Sequence, residues 1–129
     1  NDFETSHILQ HRTWLPNAVT NGYESAGVWC DSTIELMNEP MVYGSNMFHN
    51  VMCGANVPTG NVTIDTSQLS LFRLNKSKIV ALDDAGSRMW YWLRDVSSAS
   101  NFANVNSTGD CNNSNASNSN GVRPAFLIK

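Results

Sequence analysis

A run of twenty residues, Asn101–Asn120, carries asparagine at 101, 104, 106, 112, 113, 115, 118 and 120, with Ser, Gly, Thr and Asp filling most of the rest. Such a segment buries too little apolar surface to offset its own conformational entropy, and as a free tail it would be disordered. Here it is bracketed. Met-Trp-Tyr-Trp-Leu-Arg-Asp (89–95) precedes it and Gly-Val-Arg-Pro-Ala-Phe-Leu-Ile (121–128) follows it, so both ends are expected to be fixed in a core. The polar run is therefore read as side chains held out on a rigid frame, which is the pattern of a binding surface. A merely soluble loop is the plainer alternative. However, long irregular segments inside compact domains are usually functional or disordered, and Asn and Ser offer donors and acceptors on short stems, as binding loops do.

The 129 residues suit a single domain with its own core. Charged residues make up 15% of the chain and the net charge is −3, with the eight Lys and Arg scattered. That argues against nucleic acid as a partner, since phosphate binding needs a concentrated basic face. No apolar run approaches the roughly 20 residues needed to span a bilayer, so no membrane insertion is expected. The chain starts at Asn1 without an initiator Met and shows no charged segment followed by an apolar one, so no signal peptide is read and a fragment of a larger protein is expected. Three cysteines, at 30, 53 and 111, are too few for a disulfide framework or zinc site. A Cys30–Cys53 bridge is open, but three reduced thiols are favoured.

Residues 2–15 read as one helix capped by Asp2 or Thr5, with Ile8, Leu9 and Leu15 forming a rough apolar stripe and Pro16 ending it. His7 and His11 would share a face of that helix at a spacing metal ligands use. No third ligand or catalytic Glu is marked, so a surface or packing role is favoured. Asn21-Gly22 is a strong turn signal. Residues 31–37 read as a half-buried strand, with a helix ending at Pro40 nearly as good. Met41-Val42-Tyr43 before Gly44 reads as a short strand with a turn. Residues 46–52 read as buried, with His49 a hydrogen-bonded core histidine, and 55–66 as loop.

A turn or strand is expected over 69–74, a strand over 78–82 and a tight turn at 83–87, whose Asp83-Asp84 pair lacks the further ligands of a calcium loop. Residues 89–94 alternate bulky residues on both sides, predicting a central strand with Trp90 and Trp92 as core anchors. Short strands are expected at 102–105 and from Cys111, joined by a 106–110 hairpin whose Gly109 suits positive φ. A last strand, edge or bulged at Pro124, is expected over 122–128.

Enzyme signatures are missing. There is no G-x-S-x-G elbow and no glycine-rich phosphate loop. Cys53 and His49 lack any marked thiolate-stabilising site or oxyanion hole. The expectation is a protein without catalytic residues, metal or cofactor.

The blocks W-Y-W-L-R-D, N-F-A-N-V, G-D-C and S-N-G-V-R-P-A-F, with the upstream stretches SHILQHRTWLPNAVTNGYESAG, DSTIELMNEPMVYGSNMF and SQLSLFRL, resemble the C-terminal C-type-lectin-like display domains of phage and bacterial proteins. These include the variable proteins of diversity-generating retroelements. The resemblance spans essentially the whole chain and implies an α+β C-type-lectin-like fold over residues 1–129: a small mixed, mostly antiparallel sheet with one or two helices. It implies a variable ligand-binding segment, 101–120, in which Asn101, Asn104, Asn106, Ser107, Asn112, Asn113, Asn115, Asn118 and Asn120 contact the ligand.

In such systems adenines copied from a template are randomised, and the favoured codon AAC encodes Asn; Ser107, Ser114 and Asp110 lie one base away. The implied ligand is a host-surface protein or glycan, with other virion subunits as further partners. The implied location is a virion surface or an extracellular-facing one. A trimeric homo-oligomer built through a parent protein is compatible with it. The E-P-N and W-N-D sugar motifs of vertebrate calcium lectins are absent, Asn38-Glu39-Pro40 having another order and place. The fold also resembles that of formylglycine-generating enzymes, whose catalytic cysteine pair has no counterpart here. The alternative is a structural or decoration module of a phage capsid or tail without host recognition.

Overall fold

The computed structural model describes residues 5–16, 19–20, 23–24, 27–44, 47, 68–82 and 86–128. A 3-10 turn, Thr5–His7, leads into β1 (Ile8–Leu9) and β2 (His11–Pro16). Then come β3 (Val19–Thr20), β4 (Tyr23–Glu24) and β5 (Gly27–Ser32). The helix expected over 2–15 does not form, so His7 and His11 share no helix face. Its apolar stripe had few members, and a long-range partner outweighs so weak a local preference. That partner is β5, antiparallel to β2 from His11 opposite Ser32 to Pro16 opposite Gly27. The strands flanking Asn21-Gly22 pair antiparallel, Thr20 opposite Tyr23, while the dipeptide itself lies outside the described residues.

The stretch 31–37 follows the strand reading only in part: β5 ends at Ser32, residues 33–34 bend, and β6 (Glu35–Leu36) belongs to another sheet. The alternative helix ending at Pro40 is excluded because a helix starts there: α1 (Glu39–Tyr43) carries Pro40 in its first turn, where a missing N–H costs nothing. Asn38 caps it, its Oδ1 accepting from Met41 N at 2.8 Å. Gly44, at φ 82°, closes it by donating to Pro40 O at 2.8 Å. Met41-Val42-Tyr43 is therefore helical and not the expected strand, because cap signals on both sides outweigh the short apolar run.

Beyond this come a 3-10 turn at Ser70–Arg73, α2 (Asn75–Lys78), β7 (Val80–Leu82) and β8 (Arg88–Met89), the last two paired antiparallel. Expectations for 48–67 and for Asp83-Asp84, including His49 and Cys53, fall outside the described residues. Met47, expected to be buried, is exposed.

β9 (Tyr91–Val96), β10 (Asn101–Val105), β11 (Cys111–Asn115) and β12 (Gly121–Val122) form a four-stranded sheet in the order β11-β10-β9-β12. β9, β10 and β11 run as an antiparallel meander, and β12 joins β9 in parallel. The single strand expected over 122–128 is instead three short pieces with three partners. β12 pairs with β9, β13 (Pro124–Ala125) with β6, and β14 (Leu127–Ile128) with β1. Pro124 cannot donate to a continuous ladder, which suits a break there.

The core lies where α1 and the 70–73 turn cover this sheet: Met37, Val42, Phe72, Tyr91, Leu93, Ala103 and Val105. Each large side chain buried there contributes about 1.5–3 kcal/mol. β9 is central, as alternation predicts, but its buried residues are Tyr91, Leu93, Asp95 and Val96; Trp92 is half-buried and Trp90, before the strand, is 37% exposed. The tryptophans are thus not the core anchors. Two short helices on small sheets make this an α+β chain.

Candidate functional site

The polar segment folds as the β10–β11 hairpin and the turn that follows it. Opposed residues of an antiparallel pair share a face. The register pairs Asn101 with Asn115, Ala103 with Asn113 and Val105 with Cys111 on one face; on the other it pairs Phe102 with Ser114 and Asn104 with Asn112. β9 places Trp92 opposite Asn104. The eight asparagines are therefore divided between two faces and two turns.

Asn104 is fully buried, its Nδ2 donating to Ser114 Oγ at 2.9 Å. It was expected on the exposed face, and the correction has a geometric cause: β10 is flanked by β9 and β11, so Trp92 and Asn112 lie on either side of this amide. Asn115 and Asn118 are exposed, while Asn101, Asn106, Ser107, Asn112, Asn113 and Asn120 are half-buried.

Two of the asparagines shape their own turns. Asn106 Oδ1 accepts from Thr108 N at 2.9 Å and Asp110 N at 2.9 Å, and Gly109 supplies the expected positive φ of 90°. Asn115 Oδ1 accepts from Ser117 N at 3.0 Å and Ser117 Oγ at 2.9 Å. These are Asx turns, in which the side chain stands in for main chain. The second turn is tied to the sheet at both ends, Ala116 N donating to Ser100 O at 2.9 Å and Gly121 N to Trp90 O at 2.7 Å. Residues 115–119 are exposed and Asn120, just before the second tie, is half-buried.

Beside this turn lies an open apolar hollow of about 200 Å³, lined by Leu36, Trp92, Leu93, Phe102 and Ala116. Trp92 and Phe102 meet edge to face, centroids 6.4 Å apart at 77°. Sequence reading missed this hollow as part of the site, although the shared parity of Trp92 and Arg94 on β9 hints at a second face.

A second cluster went unread. Arg94 Nη1 lies 2.7 Å from Glu35 Oε2 and 2.7 Å from Thr13 Oγ1, and His11 Nε2 lies 3.1 Å from Glu35 Oε1. It joins β2, β6 and β9, and its members are spread over 84 positions of sequence, from 11 to 94, with no local motif to reveal them. Elsewhere, burial pushes the Cys111 thiol upward, keeping it protonated and a poor nucleophile. Cys30 is also a free thiol. Among the described residues no group of three His, Cys, Asp or Glu is placed to hold a metal, and no helix is long and apolar enough to cross a membrane.

The structure thus defines a small α+β domain whose β9–β10–β11 meander ends in a tethered polar turn beside an aromatic hollow. Residues 26–129 match the sequence model of a family described as a domain of unknown function, DUF6273, and the chain belongs to that family. β1 and β2, which pair with β14 and β5, precede the matched span. No curated protein and no solved structure matches the chain.

Proposed function

We propose that this chain is a ligand-binding display domain with a C-type-lectin-like fold, carried on a phage virion, that recognises a host-cell-surface protein or glycan. The observation that carries the reading is the 115–119 turn, exposed yet held at both ends by main-chain bonds to the sheet and internally by Asn115. A loop fixed in this way loses little conformational freedom on binding, and its outward side chains can change without disturbing the bonds that hold it. The hollow formed by Trp92 and Phe102 adds an aromatic surface next to the polar one, the mixture that anchors many interfaces. Asn113, Ser117 and Asn118 would supply the adjustable contacts. Multivalent display on the parent particle would raise a modest affinity.

In this reading the domain performs no catalysis and needs no cofactor. Asn106 and Asn115 spend their carbonyl oxygens on their own turns, which favours a scaffold role for those two and keeps the capsid or tail module as the second reading.

Replacing Asn113, Ser117 and Asn118 together by Ala separates the two. Loss of particle adsorption with an unchanged melting temperature supports recognition, whereas intact adsorption supports the structural module. Sequencing around the gene tests diversification: a near-repeat differing at adenines, beside a reverse-transcriptase gene, supports it, and a unique locus without one removes it.

A further inference from the structure

The hollow beside the 115–119 turn encloses about 200 Å³, and its wall is Leu36, Trp92, Leu93, Phe102 and Ala116. We propose that it receives one large apolar side chain, a Leu, Ile, Met or Phe, presented by a protein partner, so that the ligand of this domain is a protein and not a glycan. The inference rests on the recognition reading of the turn and narrows it.

Size, wall chemistry and charge select the occupant. Sites for whole small molecules usually enclose about 300 Å³ or more; a hollow of about 200 Å³ suits a single side chain. Among the five wall side chains, the indole N–H of Trp92 is the one polar group. A sugar ring has an apolar face and a rim of hydroxyls, so it suits a flat aromatic platform with polar groups around it. Here Trp92 and Phe102 stand at 77° to one another, and the rest of the wall is Leu36, Leu93 and Ala116. Hydroxyls of a sugar placed in that corner would be turned against hydrocarbon, at a cost for want of partners. A branched aliphatic or benzyl group has no polar atom to desolvate there and gains the transfer and dispersion energy of burial.

Between Val96 and Gly121 the sole charged residue is Asp110. It lies at the 106–110 turn, the other end of the hairpin from Phe102 and Ser114. Glu35 and Arg94, next in sequence to Leu36 and Leu93, are paired with each other at 2.7 Å. Covering the hollow therefore strips water from no lone charge of these segments, which matches the charge-depleted core of a protein interface. Asn118 and Ser119, exposed on the adjoining turn, offer donors and acceptors to the main chain that carries the inserted group.

The test pans a random peptide library on the immobilised 129-residue domain and, in parallel, applies the domain to an array of neutral and acidic glycans. Enriched peptides are expected to share one large apolar residue whose replacement by Ala weakens binding at least about tenfold. Ala116 is exposed, and its bond to Ser100 is made by main chain. Ala116→Leu should therefore fill the hollow and weaken the same peptides at least about tenfold, with an unchanged melting temperature. In the parent chain the peptides should also shift the Trp92 indole N–H resonance, a readout that needs no variant.

The proposal is overturned by a library that yields no binder, by peptides that lack such a residue or leave the Trp92 resonance unmoved, and by a glycan whose binding Ala116→Leu removes. Particle adsorption separates this inference from the reading beneath it. If the Asn113, Ser117 and Asn118 triple variant loses adsorption while Ala116→Leu keeps it, recognition by the turn stands and the hollow's role falls; if both keep it, both fall.

Discussion

Asn104 and Asn113 carry the same amide on adjacent strands, yet a methyl group in place of each should have different consequences. Asn104 is fully buried and bonded to Ser114, so Asn104→Ala strands a buried hydroxyl and leaves a void; about 1–3 kcal/mol of stability should be lost. Asn113→Ala, at a half-buried edge position, should stay within about 0.5 kcal/mol. Urea unfolding reads both, and equal losses would make Asn113 a structural residue. Composition could not tell these residues apart, because inside and outside are decided by strand parity, and parity becomes visible only once the hairpin register is known. The tryptophans teach the same lesson. Size suggested Trp90 as an anchor, but the inward parity belongs to Tyr91 and Leu93. Leu93→Ala should therefore cost about 2–5 kcal/mol, and Trp90→Ala, starting from a side chain 37% exposed, clearly less.

At the scale of elements, short pieces with chemical punctuation were readable and those defined by distant partners were not. The 106–110 hairpin follows from Gly109 and the polar residues around it. Gly109 has a second role in docking: a Cβ there would lie 3.2 Å from Ile79 Cγ1 and 3.4 Å from the Asn75 carbonyl oxygen, pressing the loop against α2. With φ at 90° as well, Gly109→Ala should cost roughly 1–3 kcal/mol and lower the melting temperature. A melting temperature equal to the parent's would show that the loop shifts freely. For α1, Asn38, Pro40 and Gly44 were all in view, but the caps enclose only five residues, and an apolar triplet that short suits strand and helix alike. β2 was unreadable for another reason. It is a strand because β5 lies beside it, and nothing local to 11–16 says so.

Across the whole molecule, the last eight residues before Lys129 join three sheets, so the C-terminal block that looked like one strand serves as a clasp. The centrality of β9 could be read from alternation, and the α+β class was what the family resemblance implied; the clasp could not be read, since each of its pieces is defined by a partner far away in sequence. The sheet it completes buries Tyr91, and Tyr43 packs against the same core. Burial pushes both hydroxyls above their ordinary range. The consequence for stability has a definite sign. Once pH rises past about 10, unfolded tyrosines release their protons while the folded ones retain them. The folded state then binds more protons than the unfolded state, so stability falls with rising pH. What the neutral tyrosines contribute is fully present below pH of about 10 and is lost progressively above it. Cys111, also pushed up by burial, acts in the same sense from a lower starting pH. Tyr43→Phe isolates one contributor, because it removes a titrating group whose buried hydroxyl has no hydrogen-bond partner among the described residues. Below pH 10 this variant should match or exceed the parent in stability, since phenylalanine fills nearly the same volume without a polar atom to desolvate. Above that pH its denaturation midpoint should fall less steeply than the parent's. Parallel slopes would mean that the Tyr43 hydroxyl ionises as readily in the folded chain as in the unfolded one.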